Sequence, residues 1–284
     1  MTCQPITTLY EGKCVRGHNT RVVFCATCGY AHVHPKPTEE EMAEYYKTAY
    51  YTQDKPEYSQ DQERIGEYLD TVNQEKILAL GMPGYRVADF GCGHETRWMK
   101  ALKSVGYWPC GVDPCFGEPE TIIDGFSIYP NWDKFPRIAF SVISLNFVLE
   151  HVVNPLEVLA ECHRRLGDDG QLLVEVPWDW NPIQMQVWES GDQAWWVSTP
   201  DHVNYLSPGT LEVLLRRCGF IPEMMRSTYP IENLILNGQD YRTDPEAKKV
   251  AVRERAPRQA AHWALGHSAL CQEGRTVWCV ARKA

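Results

Sequence analysis

A group of cysteines and histidines near the N-terminus has the residue types and the spacing of a metal site. Cys25 and Cys28 form a C-x-x-C-G knuckle, a tight turn that can direct two sulfur atoms at one cation. Cys14 and His18 lie one short strand earlier in the chain. The competing donors are Cys3, His32 and His34. The spacing favours Cys14, His18, Cys25 and Cys28 as ligands of a closed, structural zinc site.

A second chemical signature lies in the segment V-A-D-F-G-C-G-H-E-T. A short apolar run contains Asp89, and the turn with Gly91 and Gly93 precedes a stretch of helical spacing. Asp113 ends the next apolar segment, one βα unit further on, where an acidic side chain can accept hydrogen bonds from both hydroxyls of a ribose. The turn has no third glycine, and Asp89 would repel a pyrophosphate. The pattern therefore favours a cationic ligand that carries a ribose.

A third group of polar residues follows a buried strand. The continuous apolar run from Phe140 to Leu145 predicts a parallel strand that is covered on both faces. Asn146, Glu150 and His151 come directly after it, at the edge where open α/β sheets bind ligands. Because a histidine can take up a proton near neutral pH, His151 is a candidate general base.

Taken together, D-F-G-C-G-H-E-T, G-V-D-P and S-L-N-F-V-L-E-H-V-V-N-P resemble the class I S-adenosylmethionine-dependent methyltransferases, in particular the small-molecule branch with an E-H-V segment. The resemblance covers roughly residues 68–220. It implies a Rossmann-like α/β sheet that binds S-adenosylmethionine. The cofactor-binding residues that it implies are Asp89, Gly91, Gly93, Asp113, Asn146 and Glu150. Family members contact the adenine in the region of Trp132, which is a further candidate.

The N-terminal segment also resembles the zinc-binding module that precedes some methyltransferases of this branch. In that module a C-x-x-C-G knuckle leads into a P-x-P motif, here Pro35 to Pro37, and then into a tyrosine-rich helix. The family's first knuckle is usually C-x-x-C, whereas this chain has Cys14 and His18. The resemblance suggests that Tyr46 or Tyr51 covers the cofactor pocket; packing between the module and the catalytic domain is the alternative.

The chemistry follows from the cofactor that the resemblance implies. A sulfonium methyl group is already activated, so the protein must place the nucleophile in line with it and remove the nucleophile's proton where there is one. His151, by its predicted location, is one candidate base. His202 is the other, because P-D-H-V-N-Y-L-S resembles the family's H-x-x-x-(F/Y)-(S/T) segment. A hydrogen-bonded structural histidine is the alternative for each.

The elements that position these residues are predicted from periodicity and caps. Thr38 and Glu41 form a capping box that starts a helix, and residues 65–80 have helical spacing. Further predictions are a third strand over 121–128, a helix that begins at Asn154 and Pro155, a fifth strand over 171–176, a helix capped by Ser207, an antiparallel closing pair over 220–228 and 275–282, and a helical insertion over 246–270. The predicted fold class is thus an α/β, Rossmann-like methyltransferase sheet with a small N-terminal zinc ribbon.

The predicted domain organisation has three parts: residues 1–37 as the metal-binding module, 38–60 as a helix with a lid or linker, and 61–284 as the methyltransferase domain. Five tryptophans lie in the loop after the fifth predicted strand. They are expected either to line the substrate pocket or to belong to the hydrophobic core. They are Trp178, Trp180, Trp188, Trp195 and Trp196.

Composition limits the partners. The net charge of -9 and the absence of a Lys/Arg run argue against nucleic acid as substrate. No stretch of 18 apolar residues and no secretory h-region occur, which favours a cytoplasmic protein without a membrane span. The 11 cysteines, an odd number, are then expected to be reduced thiols rather than disulfides.

The sequence therefore predicts a cytoplasmic enzyme that methylates O, N or C of a small metabolite or natural-product intermediate, with S-adenosylmethionine as cofactor and a structural zinc. Its oligomeric state and its acceptor are left open. Two alternatives remain: an enzyme that uses the same sulfonium pocket, or a related sheet, for another reaction, and a non-catalytic, cofactor-binding zinc scaffold.

Overall fold

Two β-sheets organise the protein. The computed structural model describes residues 3–54, 65–81, 85–117, 120–134, 139–264 and 273–284. The smaller sheet contains β1 (Pro5–Lys13), β2 (Asn19–Cys25), β3 (Tyr30–Val33) and β10 (Asn204–Tyr205). The larger sheet contains β4 (Arg86–Phe90), β5 (Trp108–Val112), β6 (Thr121–Ile123), β7 (Phe126–Tyr129), β8 (Phe140–Asn146), β9 (Leu166–Pro177), β11 (Phe220–Ser227) and β12 (Thr276–Lys283).

Helices connect and cover these strands. In chain order they are α1 (Glu39–Tyr45), which continues as a π-helix over Tyr46–Asp54, α2 (Gly66–Leu80), α3 (Arg97–Ser104), a 3-10 turn over Trp132–Lys134, α4 (Pro155–Arg165), α5 (Pro182–Glu189), α6 (Pro208–Arg217), α7 (Asn233–Leu236) and α8 (Pro245–Ala264). The capping boxes of Thr38 and Ser207 are both present. Asn154 precedes α4 without a side-chain cap, since its amide donates to Glu157 instead.

The larger sheet has the strand order β11-β12-β9-β8-β4-β5-β7-β6. The neighbours from β7 to β9 are parallel, whereas β12 runs antiparallel to both β9 and β11. Parallel strands with helical crossovers bring their carboxyl ends to one edge, which is where such sheets bind ligands. The predicted Rossmann-like α/β sheet with an antiparallel closing pair is confirmed.

Alternate residues of the central strands face opposite layers of helices. Ala88 and Ile143 belong to a core that includes α4 and α6, through residues such as Leu159. Their neighbours Val87 and Val142 belong to a second core. That second core is completed by Leu80 of α2, Trp98 and Leu102 of α3, and Trp278 of β12. The sheet is therefore buried on both sides, as the continuous apolar runs predict.

The smaller sheet joins the N-terminal segment to the rest of the chain. β10 pairs antiparallel with β3, so that Asn204 lies opposite His32 and Tyr205 opposite Ala31. The sheet thus crosses the boundary expected at residue 37. Its buried residues pack in one cluster with the loop that precedes β10, and the tryptophans of this cluster are Trp180, Trp188, Trp195 and Trp196. These four residues are core between the small sheet and the loop, and Trp178 belongs to the core of the large sheet.

Two predicted elements differ from the structure. The segment 121–128 is a hairpin of β6 and β7 rather than one strand, because Asp124 and Gly125 at its turn have φ values of 51° and 79°. β9 begins at Leu166, directly after α4, and not at residue 171. Residues 55–60 of the predicted lid or linker and residues 265–270 of the predicted insertion lie outside the described residues, as does the side chain of Tyr51.

Among the helices in the described ranges, none is both long and apolar enough to cross a lipid bilayer.

Lys36 links the small sheet to the loop that follows β8, and its replacement should destabilise the fold. Its Nζ donates to Tyr30 Oη (3.3 Å), to the carbonyl of Val153 (3.0 Å) and to Asn204 Oδ1 (2.9 Å). Lys36→Met leaves these acceptors without that donor, so we expect the free energy of unfolding to fall by about 1–3 kcal/mol. Urea titration followed by circular dichroism measures the change. Lys13→Met, on an exposed residue of the small sheet, is the control, and equal midpoints for the two variants would contradict the prediction.

Candidate active site

A glycine turn at the carboxyl end of β4 forms the first part of the site. Gly91 has a φ of 71°, and a Cβ at this position would lie 2.6 Å from Val148 Cγ2. Only glycine fits there without displacing its neighbour. The Gly93 amide donates to Asp113 Oδ2 (2.8 Å), and the Cys115 amide donates to Asp113 Oδ1 (2.9 Å). The carboxylate at the end of β5 is thereby held against the glycine turn.

Asp89 is a buried carboxylate beside this turn. Its Oδ1 accepts from Ser144 Oγ (2.7 Å) and from Asn146 Nδ2 (3.2 Å). Ser144 Oγ in turn accepts from Trp98 Nε1 at 2.9 Å. Burial raises the pKa of Asp89 to about 6, and the hydrogen bonds from Ser144 and Asn146 oppose this rise. A cation placed at this carboxylate would favour its ionised form.

Lys76 fixes the orientation of the Asn146 amide, a role that the sequence analysis missed. Its Nζ donates to Asn146 Oδ1 (2.9 Å) and forms a buried ion pair with Glu175. Thr276 Oγ1 donates to the other oxygen of Glu175 at 2.7 Å. Since Asn146 Oδ1 accepts from Lys76, its Nδ2 is directed at Asp89. The sequence did contain a signal for this role: Val72 and Leu80 are apolar and lie four residues before and after Lys76, so helical spacing places Lys76 on the inward face.

Glu150, His151 and His202 form a second group beyond the end of β8. One side-chain ligand atom from each lies within 4.8 Å of the others. His151 Nδ1 is 2.8 Å from the backbone carbonyl of Asp201, and because a carbonyl only accepts, this nitrogen carries the proton. His151 Nε2 lies 3.7 Å from Glu150 Oε1, and His202 Nδ1 lies 3.8 Å from a carboxylate oxygen of Asp179.

Backbone hydrogen bonds hold the two histidine segments together. The carbonyl of Glu150 accepts from the amides of Val203 (2.7 Å) and Asn204 (2.9 Å). The side-chain amide of Asn204 donates to the carbonyls of Leu149 (2.8 Å) and Val152 (2.6 Å). The position of His151 relative to His202 is therefore fixed by main-chain atoms and by one buried asparagine.

Two tyrosines of the π-helix, Tyr46 and Tyr50, pack against the ring of His151. The ring centroids of Tyr46 and Tyr50 lie 6.2 Å and 6.4 Å from that of His151. The two tyrosines also pack on each other at 4.8 Å. Burial raises the pKa of Tyr46, so its hydroxyl stays protonated. Tyr46 thus contacts the histidine group, and it also packs in the core of the small sheet.

Two aromatic residues lie at the same edge of the large sheet. Trp132 stacks on Phe90, with the rings 5.3 Å apart and nearly parallel. Its predicted contact with an adenine stays a prediction. Phe147, which the sequence analysis did not single out, follows Asn146 with a φ of 56° and a side chain that is 38% exposed. A left-handed, exposed aromatic residue at a ligand-binding edge is a candidate for contact with a bound molecule.

A separate group of three cysteines and one histidine, the cysteine group, lies at the end of the small sheet where β2 turns into β3. One ligand atom each of Cys3, Cys25, Cys28 and His32 lies within 4.8 Å of the others, with Cys3 Sγ 3.7 Å from Cys28 Sγ. The C-x-x-C-G knuckle closes through a 2.9 Å hydrogen bond from the Gly29 amide to the Cys25 carbonyl. His32 is fully buried, and its Nδ1 donates to the Val33 carbonyl at 2.6 Å. Its Nε2 has no hydrogen-bond partner among the described residues. Burial lowers the pKa of His32 to about 4, so the ring is neutral.

Cys14 and His18 lie elsewhere, which corrects two of the four expected metal ligands. β1 and β2 form a hairpin in which Pro5 pairs with Cys25 and Lys13 pairs with Asn19. Cys14 and His18 therefore occupy the turn at the opposite end of the hairpin from the knuckle. At about 3.3 Å per residue, a seven-residue strand separates them from Cys25 by roughly 20 Å. Cys14 Sγ instead accepts from Thr199 Oγ1 at 3.4 Å, and His18 is exposed.

The predicted cofactor residues thus come together as two adjoining groups. Asp89, Gly91, Gly93, Asp113 and Asn146 lie at the carboxyl ends of β4, β5 and β8. Glu150 lies with the two histidines.

A match to a protein-family model identifies the family of this chain. Residues 52–222, more than half of the chain, match the model of a family described as "Methyltransferase domain". The chain belongs to this methyltransferase family. Comparison with curated proteins finds no match.

Solved structures show the same fold in methyltransferases. The Burkholderia thailandensis 1,6-didemethyltoxoflavin-N1-methyltransferase, solved with 1,6-didemethyltoxoflavin and S-adenosylhomocysteine bound, matches with a TM-score of 0.53 and 12% identity over 98% of this chain and 100% of that chain. The Haloferax volcanii complex between the Trm112 methyltransferase activator and a methyltransferase matches with a TM-score of 0.50 and 16% identity over 79% and 94%. At these identities the likeness shows the fold of the methyltransferase domain.

Proposed function

We propose that this methyltransferase transfers the methyl group of S-adenosylmethionine to a small metabolite. The observation that carries the proposal is the pair of carboxylates, Asp89 and Asp113, that flanks the glycine turn at the ends of two neighbouring parallel strands. Family membership supports the reaction class. The carboxylates and the turn support the cofactor.

The residues present fit this cofactor. Gly91 keeps the turn free of a side chain, as close approach of a ligand to the backbone requires. Asp113 still has lone pairs directed away from the Gly93 and Cys115 amides, and these can accept from a ribose diol. Asp89, oriented by Ser144 and Asn146, suits the positive charge of the amino acid portion. When bound, S-adenosylmethionine would supply an activated methyl group.

His151 is the proposed general base. Its Nδ1 is committed to the Asp201 carbonyl, so in the neutral ring the lone pair lies on Nε2. Glu150, 3.7 Å from that nitrogen, would stabilise the imidazolium that forms when a proton is taken up. His202 lies beside it, with ring centroids 5.1 Å apart, and is the alternative base or an orienting group for the acceptor.

A small acceptor fits the surroundings of this base. Tyr46, Tyr50 and the loop that carries Asp201 and His202 adjoin His151 on several sides. The net charge of -9 disfavours a polyanionic acceptor such as nucleic acid. The structural neighbour from Burkholderia thailandensis acts on a small heterocycle, which supports the same class of acceptor here.

We also propose that Cys3, Cys25, Cys28 and His32 bind a structural zinc ion. Three thiols and one imidazole form a donor set that zinc prefers in closed tetrahedral sites. The hydrogen bond from His32 Nδ1 to a carbonyl leaves Nε2 for the metal, the arrangement usual for metal-bound histidines. Four protein ligands leave no open position, so the metal has no role in the transfer.

The first test is cofactor binding followed by turnover. Wild-type protein should bind S-adenosylmethionine in calorimetry, and Asp113→Ala should weaken the affinity by about tenfold or more, since hydrogen bonds to a charged group contribute about 1.5–3 kcal/mol. Asp169→Ala, on an exposed residue after α4, is the matched control. Turnover is measured as S-adenosylhomocysteine release across a metabolite panel, with His151→Gln expected to lower kcat.

Equal affinity of the Asp113→Ala and Asp169→Ala variants would overturn the cofactor assignment. Tight binding by the wild type without release of product from any acceptor would favour the scaffold alternative.

The affinity for S-adenosylmethionine should depend on pH through Asp89. With a pKa of about 6 in the free protein, Asp89 is ionised at pH 7.5 and protonated at pH 5. A cation stabilises the ionised form and binding then expels a proton, so below pH 6 the Kd should rise by up to about tenfold per pH unit. Asp89→Asn should bind more weakly at pH 7.5 and lose most of this dependence. Calorimetry at pH 5, 6 and 7.5 tests this, and parallel pH profiles for the two proteins would refute it.

Zinc binding should depend on Cys3 and His32 rather than on Cys14 and His18. Elemental analysis of the purified wild type should find about one zinc per chain, as a tetrahedral site requires. Cys3→Ser and His32→Ala should lose most of the metal and lower the Tm, because metal binding contributes to folding. Cys14→Ser and His18→Ala are the matched controls and should retain zinc. Metal loss in the second pair and not in the first would refute the assignment.

A further inference from the structure

The tip of the N-terminal hairpin contacts the loop that carries His202. Thr20 Oγ1 lies 2.6 Å from Thr199 Oγ1, and Thr199 Oγ1 donates to Cys14 Sγ at 3.4 Å. The far end of the same hairpin carries Cys25 of the cysteine group. The hairpin therefore extends from the cysteine group to the loop that carries His202, and Thr20 at its tip lies about 180 residues before Thr199 along the chain.

Arg16 makes the strongest contact at this tip. Its guanidinium binds both oxygens of Asp201, with Nη1 to Oδ1 at 3.0 Å and Nη2 to Oδ2 at 3.1 Å. The Asp201 side chain is fully buried, and that of Arg16 is 16% exposed. Ser198 Oγ donates to the same carboxylate at 3.0 Å, and Arg16 Nη1 also donates to Tyr45 Oη at 2.8 Å. A buried two-point ion pair of this kind fixes the orientation as well as the position of its carboxylate.

The main chain of Asp201 connects this ion pair to the proposed base. Its carbonyl oxygen accepts a hydrogen bond from His151 Nδ1 at 2.8 Å. The side chain of Asp201 is held by Arg16, so the guanidinium also holds the peptide that selects the tautomer of His151. Among the residues that the structure describes, Glu150, His202 and the rings of Tyr46 and Tyr50 also face His151.

We propose that Arg16 is a positioning residue for methyl transfer: through Asp201 it keeps His151 in the orientation and tautomer in which Nε2 can accept a proton. This inference rests on the proposed function, in which His151 is the base. It assigns to the N-terminal hairpin a role in turnover that is separate from metal binding. Lysine cannot replace this arginine, because a single ammonium cannot hold both carboxylate oxygens in one plane.

Arg16→Ala and Arg16→Lys test the proposal, with Arg21→Ala as the matched control. Arg21 lies on the same hairpin, is exposed, and donates to Thr8 on the neighbouring strand. We expect both Arg16 variants to lower kcat by about 10- to 100-fold, the size that a small displacement of a reacting group produces. The Kd for S-adenosylmethionine should stay within about twofold of the wild type, because Asp89 and Asp113 lie outside this contact. Guanidinium ion should restore part of the activity of Arg16→Ala, and methylammonium should not.

A measurement without substrate separates this inference from the proposed function. Nitrogen-15 spectra of the histidine rings, with His151→Gln for assignment, report which nitrogen of His151 carries the proton. Nδ1 should be protonated in the wild type and in Arg21→Ala, and the two Arg16 variants should show a mixture of tautomers. If Arg16→Ala does not fold, Arg16→Lys, which retains the charge, decides the question.

Unchanged tautomer populations in both Arg16 variants, or a kcat equal to that of Arg21→Ala, would overturn the assignment of Arg16. A wild-type enzyme that binds the cofactor but turns over no acceptor would instead count against the proposed function, and the spectra would still decide the role of Arg16.

Discussion

The backbone pairing between β3 and β10 is the interaction on which the arrangement of this protein depends. It places Asn204 opposite His32, so that one residue pair links the cysteine group to the loop of the histidines. His32 contributes its ring to the cysteine group, and Asn204 binds the carbonyls of Leu149 and Val152 on either side of His151. Because strand register fixes both residues at once, neither group can shift without the other.

Charge is distributed along this edge of the large sheet in a way that suits a cation. Buried carboxylates lie at the ends of β4 and β5 and beyond the end of β8, and the buried ammonium of Lys76 is already paired with Glu175. Asp89 accepts hydrogen bonds from Ser144 and Asn146, and Asp113 accepts them from backbone amides; these neutral donors stabilise the negative charge without cancelling it. A positively charged ligand therefore gains from this edge, and a pyrophosphate would be repelled by it.

Much of the large sheet followed from local sequence, whereas the contacts between distant segments did not. Periodicity and caps placed β4, α3, β5 and the closing strands within a few residues, and the C-x-x-C-G spacing indicated Cys25 and Cys28, two of the four members of the cysteine and histidine group. The partners of that pair depend on the register of a hairpin, which local spacing does not specify. Lys76 and Arg16 likewise bind residues that lie far away in the chain. The Asp124-Gly125 turn was a local signal that should have indicated a hairpin.

The late position of β10 in the chain also bears on the order of folding. On a ribosome, β1 to β3 emerge before β10, the strand that completes their sheet. β10 follows β3 by about 170 residues, a separation that slows the closure of such contacts. Until then β3 presents an open edge, and the apolar face that later contacts the tryptophan loop is uncovered. A nascent chain of this kind is prone to pair with its neighbours, so a metal ion captured early by the cysteines would serve as a safeguard during synthesis.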